Sequence, residues 1–307
     1  MPPPITQDQE LNSYLTTLLT TLHSTLQENL LGVYLFGSAA YNAYERGVSD
    51  VDVYAVIKDP LQTSSSSKTG IEDPYRELAR KISHKTLPCP ARKLEFVLFT
   101  AANARCYTDQ NPDPETETDP DADACSLGPC FSMNLNTGRG MDDHVSLSPE
   151  NEEPFWFVLD IAIGRELGRV LYGPPVKDVF GGLGRGAVLG ALAACLKWWS
   201  ALLELGGGDG IGDRERADAV LNAARGLRFV RVGVWGSKSE GAGWVVGCED
   251  EDEFGGYREV VGCALEARKG GEGEVKVKVP RDQAVGFLKY VCDEIGKCQG
   301  NLGETTV

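Results

Sequence analysis

Hydrophobic positions in the first thirty residues recur at helical spacing: Leu11, Leu15, Leu18, Leu22 and Leu26 fall on one stripe, widened by Tyr14 and Leu19. A period near 3.6 puts these side chains on one face, so residues from about 7 to 29 are predicted to form an amphipathic helix. The pattern then changes. Gly32-Val33-Tyr34-Leu35-Phe36 is short, β-branched and aromatic and stops at Gly37-Ser38, which reads as a buried strand entering a turn. Val51 to Ile57 and Leu94 to Phe99 have the same character and are predicted as second and third strands. Between them a helical pattern from Ile71 to Ile82 follows the serine run Ser64 to Ser67, which reads as a loop.

From residue 107 to 124 the chain holds seven acids, three prolines and no base. Too little apolar surface is present there to offset the entropy of ordering, so an acidic disordered insertion is predicted over about 105–130. Prolines in its middle argue against a calcium-binding loop, which needs acids at fixed positions around a central glycine. After Pro154 the apolar residues Phe155 to Ile163 resume a helical pattern that is predicted to run to Tyr172-Gly173-Pro174-Pro175. Every later apolar segment has helical period: Val188 to Leu205, Arg216 to Val232, Ser239 to Val246, Tyr257 to Ala267 and Arg281 to Ile295. The alternation at Val275–Val279 suits a short edge strand. The expected architecture is therefore α+β, a mixed sheet with flanking helices over residues 1–179 and an all-helical bundle over 180–307.

Charge narrows the chemistry. With 30 Lys+Arg against 45 Asp+Glu the 307 residues carry a formal charge of −15. That balance argues against a nucleic-acid partner, which needs clustered cations, and suits cationic small molecules or a metal that brings in an anionic substrate. No apolar run is read as long enough for a membrane span, and the N-terminus shows no basic stretch leading into an apolar one, so a cytoplasmic monomer is expected. Nine cysteines form no C-x-x-C pair, and only three histidines accompany them, so structural zinc is not indicated and reduced thiols are expected. Nothing in the sequence demands a bond between Cys125 and Cys130.

The informative stretch is Gly37-Ser38, eleven residues, then Asp50-Val51-Asp52. Gly37 lets the backbone approach a ligand closely, and the amides and the Ser38 hydroxyl at the turn can hold a phosphate. Asp50 and Asp52, two apart on a strand, project from the same face and repel each other unless a cation sits between them. Hard oxygen donors of this kind suit Mg²⁺, and a metal there can bridge a triphosphate. Glu95, a lone acid in the apolar strand Leu94–Phe99, is costly to bury unless paired or metal-bound, which makes it the third carboxylate: a metal ligand, a general base, or both.

This strand, G-S, D-x-D and strand-borne Glu95 pattern resembles the polymerase-β-like nucleotidyltransferases, and within them the aminoglycoside 3''-adenylyltransferases of the streptomycin/spectinomycin type. Val220-Leu221-Asn222-Ala223-Ala224-Arg225, Ser237-Lys238 and Trp244 extend the resemblance into the second half. It implies transfer of AMP from ATP, with Mg²⁺, to a hydroxyl of a small, aminoglycoside-like acceptor, with release of pyrophosphate. By the same resemblance Ser38, Ser49, Asp50 and Asp52 bind nucleotide and metal, Glu95 is the base, and Arg225 and Lys238 contact the phosphates. Asp213 and Glu215 are candidates for holding acceptor amines, and Arg268 falls where the family has an adenine-side aromatic. The alternatives are a related enzyme that modifies a protein or another metabolite, and a nucleotide-binding module without transferase activity.

Overall fold

The computed structural model describes residues 5–62, 73–105, 131–205, 212–248, 254, 256–269 and 277–304. The serine run, the acidic stretch with Cys125 and Cys130, the acids Glu249 to Glu253 and residues 275–276 of the valine alternation lie outside the described residues. The chain forms two compact units, Met1–Gly184 and Arg185–Val307.

The first unit begins with helix α1 (Gln9–Leu26), whose leucine stripe is buried. Asp8 caps it, its carboxylate accepting the Leu11 N–H at 2.9 Å, which satisfies one of the amides that a helix start leaves without a partner. Strands β1 (Leu30–Phe36), β2 (Val51–Ile57) and β3 (Lys93–Thr100) match the three sequence-predicted strands. Three more strands were not visible in the pattern: β4 (Met133–Gly138), β5 (His144–Ser146) and β6 (Arg169–Tyr172). They form one sheet in the order β5-β4-β3-β2-β1-β6, in which β2 and β3 run parallel and every other pair antiparallel. The α+β architecture inferred from the patterns is therefore the observed one.

The two faces of the sheet differ. Val33, Leu35, Val51, Val53, Ala55, Leu94, Phe96, Leu98, Met133 and Leu135 point to one face and bury themselves with the stripe of α1 and with α3 (Pro74–Ile82). The alternate positions face the other way and carry the polar residues of interest. On that second face Phe36, Tyr54, Phe99 and Phe180 form an aromatic cluster, with Phe36 and Tyr54 ring centroids 4.6 Å apart.

One expectation fails here. The helix predicted to reach Tyr172 ends earlier, as α5 (Pro154–Leu167), and the chain turns at Gly168 into strand β6. Packing decides the break. A Cβ at Gly164 would lie 2.5 Å from the Phe36 ring, and one at Gly168 2.4 Å from the Gly164 carbonyl, so only glycines let α5 end this close to β1. β6 is then held by Arg169, whose guanidinium donates to the Ala40 and Ile5 carbonyls and to Asn42 Oδ1. Short helices α2 (Gly37–Ala40), α4 (Ala101–Arg105) and α6 (Val176–Val179) complete the unit among the described residues.

The second unit contains α7 (Arg185–Leu205), α8 (Asp213–Val232), α9 (Lys238–Val246), α10 (Arg258–Lys269) and α11 (Arg281–Glu304). α8 is central, packing against the other four. The sequence expectation of no membrane-length apolar run is corrected by α7. Its 21 residues are long and apolar enough, by length and composition, to cross a membrane. In the structure Leu189, Leu192 and Leu196 are buried and α7 packs against α8 and α11, with 39% of its apolar window buried.

Candidate active site

The site grows out of strand register. Asp52 on β2 pairs with Phe36 on β1 and with Glu95 on β3; Glu95 pairs with Asn136 on β4, and Asn136 with His144 on β5. One transverse row therefore carries Phe36, Asp52, Glu95, Asn136 and His144 on the face opposite the α1 core. Because side chains alternate with period two, Lys93 shares the face of Glu95.

Gly37, at the end of β1, has φ +61°, and a Cβ there would fall 1.6 Å from Asp52 Oδ2. Both facts require glycine: the left-handed conformation is its own, and the Asp52 carboxylate fills the space a side chain would need. Ser38 follows it in α2. Ser49 is buried, and its hydroxyl accepts the Glu45 N–H at 3.0 Å, closing the turn that delivers Asp50 to the mouth of β2.

The carboxylates are already partnered. Arg92 grips Asp50 with two bonds, Nε to Oδ1 at 2.7 Å and Nη2 to Oδ2 at 2.5 Å. Lys93 ion-pairs with Glu95, lies 3.9 Å from Asp50 Oδ2 and donates to Asn136 Oδ1 at 3.1 Å. Burial, and then the neighbouring Glu95, Asp160 and Asp50 carboxylates, push Asp52 well above the usual carboxylate range. Glu95 moves the other way. Burial alone would raise it, but the Lys93 ammonium and a hydrogen bond from Asp52 hold it below its ordinary value. Within this pair the two carboxyls are thus pushed in opposite directions, Asp52 up and Glu95 down. Behind them the Tyr54 hydroxyl donates to Asp160 Oδ2 at 2.9 Å, tying α5 to β2.

Residues 18–113 match the family described as "Nucleotidyltransferase domain". The chain carries a nucleotidyltransferase domain. The matched residues include Gly37, Ser38, Asp50, Asp52 and Glu95, so the sequence motif and the register described above coincide within that domain. Among solved structures the chain is similar to spectinomycin adenyltransferase AAD(9) from Enterococcus faecialis, crystallised with ATP and spectinomycin. The TM-score is 0.57 at 14% identity, over 92% of this chain and 98% of that one. At that identity the likeness is one of fold. No curated protein is similar to the chain in sequence.

The nucleotidyltransferase domain has an oxygen-donor set that fits a hard divalent cation. Asp50, Asp52 and Glu95 supply only carboxylate oxygens, and burial together with the repulsion of its neighbours raises Asp52, a cost that a cation relieves. Among the described residues no three such side chains are grouped as a metal cage. Instead Arg92 and Lys93 occupy the Asp50 and Glu95 carboxylates.

In the second unit, Gly241 of α9 sits against the α8 backbone, where a Cβ would meet Arg225 Cα at 2.6 Å. This close crossing brings Lys238, at the start of α9, to Asp218 on α8, with Nζ to Oδ1 2.8 Å. Arg268 on α10 approaches the same carboxylate at 3.5 Å, and Arg225 Nη2 donates to Asn222 Oδ1 at 2.9 Å. Asp213 accepts from Arg216 Nη2 and from the Val279 N–H, joining α8 to the segment before α11, and Glu215 is exposed in the first turn of α8. His144 is exposed and lies 3.2 Å from Glu152 Oε1. Trp198 and Trp199 form a half-buried edge-to-face pair on α7.

Sequence reasoning missed Arg92, Lys93, Asn136, Asp160 and Asp218. Two carried a usable signal. Asp160 is a lone acid in the apolar run Val158–Ile163, as Glu95 is in its strand, and Lys93 has the same strand parity as Glu95. Asn136 required knowledge of β4, and Asp218 looks like any helix acid.

Proposed function

We propose that the protein transfers AMP from ATP to a hydroxyl of a small, polyhydroxylated, aminoglycoside-like acceptor, releasing pyrophosphate. The observation that carries this reading is the pairing of Asp52 with Glu95 across parallel strands, directly behind the Gly37–Ser38 turn. The likeness of fold to an enzyme crystallised with ATP and spectinomycin supports the choice of nucleotide and acceptor class.

In this reading the turn at Gly37 exposes backbone amides and the Ser38 hydroxyl to the phosphates, and Asp50, Asp52 and Glu95 would hold Mg²⁺. That ion supplies charge neutralisation at the phosphates when bound. Glu95 accepts the proton of the acceptor hydroxyl as its oxygen attacks the α-phosphate in line. The bond to the pyrophosphate oxygen breaks and the new ester carries AMP. The gain comes mainly from positioning and charge stabilisation.

The test is incubation with ATP, Mg²⁺ and a panel of aminoglycosides, reading pyrophosphate release and a mass gain of one adenylyl group on the acceptor. Glu95→Gln, which keeps an oxygen at the ion but cannot take the proton, is expected to weaken ATP·Mg²⁺ binding far less than transfer, which should fall by about 10²–10⁴-fold. Turnover at the wild-type rate in that variant would remove Glu95 from its role.

A further inference from the structure

Two cations stand where a metal would enter. Arg92 is 42% exposed at its side chain and holds Asp50 through two hydrogen bonds. Lys93 is different. Its side chain is 23% exposed, it faces Glu95 and Asp50 together, and Asn136 Oδ1 on the next strand accepts from its ammonium. Gly138, its partner on β4, leaves room for the strand to pass: a Cβ there would meet the Arg92 carbonyl at 2.5 Å and Lys93 Cβ at 2.9 Å. The ammonium is thus anchored in the middle of the donor set.

We propose that Lys93 is a positioning residue that acts as a resident counter-ion: it holds Glu95 and Asp50 in place without metal, and makes tight entry of a divalent cation depend on the nucleotide. This rests on the function proposed above. A divalent ion that displaces Lys93 from Glu95 leaves the ammonium beside a second positive charge, a repulsion that a low-dielectric site magnifies. When triphosphate enters with the ion, its oxygens offer the ammonium a new anionic partner and the repulsion disappears. Metal and nucleotide then bind with positive coupling, each raising the affinity of the other by the same factor.

The experiment titrates the full chain with Mn²⁺ alone, followed by calorimetry and by loss of the free-ion electron paramagnetic resonance signal. Lys93→Met is expected to bind Mn²⁺ at least about tenfold tighter than the wild type, and Lys93→Arg, which keeps the charge, to remain near the wild type. A non-hydrolysable ATP analogue should narrow the gap between wild type and Lys93→Met. Equal or weaker Mn²⁺ binding by Lys93→Met overturns the proposal and leaves Lys93 a purely structural residue. Should Lys93→Met fail to melt cooperatively, Asn136→Leu removes the anchor without changing charge. It is expected to shift Mn²⁺ affinity in the same direction by a smaller factor, and wild-type affinity there overturns the proposal too. Because the titration holds no acceptor and needs no turnover, it separates the two claims. Absence of AMP transfer removes the proposed function and leaves the Mn²⁺ comparison to stand by itself, whereas equal affinities remove the counter-ion and leave transfer untouched.

Discussion

Gly37 is the residue on which the site geometry turns. Substitution by alanine adds a methyl group where Asp52 Oδ2 already lies, at a backbone angle L-residues rarely adopt. Gly37→Ala is therefore expected to displace Asp52, to lower stability by about 1–3 kcal/mol and to weaken Mg²⁺-dependent ATP binding more than tenfold, read by chemical denaturation and calorimetry. Tyr54→Phe is a milder probe of the same face. It removes the donor to Asp160, so a loss of about 1 kcal/mol is expected in a denaturant titration. Asp50, Asp52 and Glu95 were legible in the sequence because spacing within a strand fixes their side and an acid in an apolar run announces itself. Arg92 and Asn136 were not, because what they touch is decided by pairing between strands distant in sequence.

Among elements, the three central strands and the five helices of the second unit follow from periodicity, whereas β4, β5 and β6 do not. β4 reads Met133-Asn134-Leu135-Asn136-Thr137-Gly138, a weak alternation whose asparagines look like loop residues until the Glu95 row gives them neighbours. β6 hides behind α5 because Gly168 ends the helix for a tertiary reason, the Phe36 ring, which no local pattern encodes. α1 offers a clean test of an element's start. Burial raises the Asp8 carboxyl, but the Leu11 N–H and the Arg46 guanidinium outweigh it and hold it below the ordinary aspartate value of 3.8. A carboxyl with a lowered folded-state pKa contributes stability that is fully present above the unfolded value and is lost as pH falls through the folded one. Asp8→Ala should thus cost about 1 kcal/mol at pH 7, with the difference from wild type closing below about pH 4 in thermal melts.

For the whole molecule, a ligand that binds the folded chain and not the unfolded one adds to stability by mass action. ATP with Mg²⁺ at about 100 times its dissociation constant should stabilise the folded chain by about 2.7 kcal/mol, seen as a raised melting temperature that EDTA reverses. Asp50→Asn is expected to lose most of that shift, because it removes one of the proposed metal donors. The α+β plan was legible at this scale because short apolar, β-branched runs alternate with helical patterns in the first half of the chain, whereas nearly every later segment has helical period. The apolar length of α7 was also within reach, because Val188 to Leu205 already reads as one helical segment, but its charged residues hide the mean hydropathy of the whole stretch.

The line of paired positions running from Phe36 to His144 also constrains how such a protein can diversify. Inserting one amino acid ahead of Glu95 in β3 would swing every downstream side chain through the sheet, carrying the acid into the leucine-packed layer and a phenylalanine or leucine into the solvent cleft. Asp52 and Glu95 therefore inherit their spacing as an indivisible set, and variation has to be written into the connections between strands.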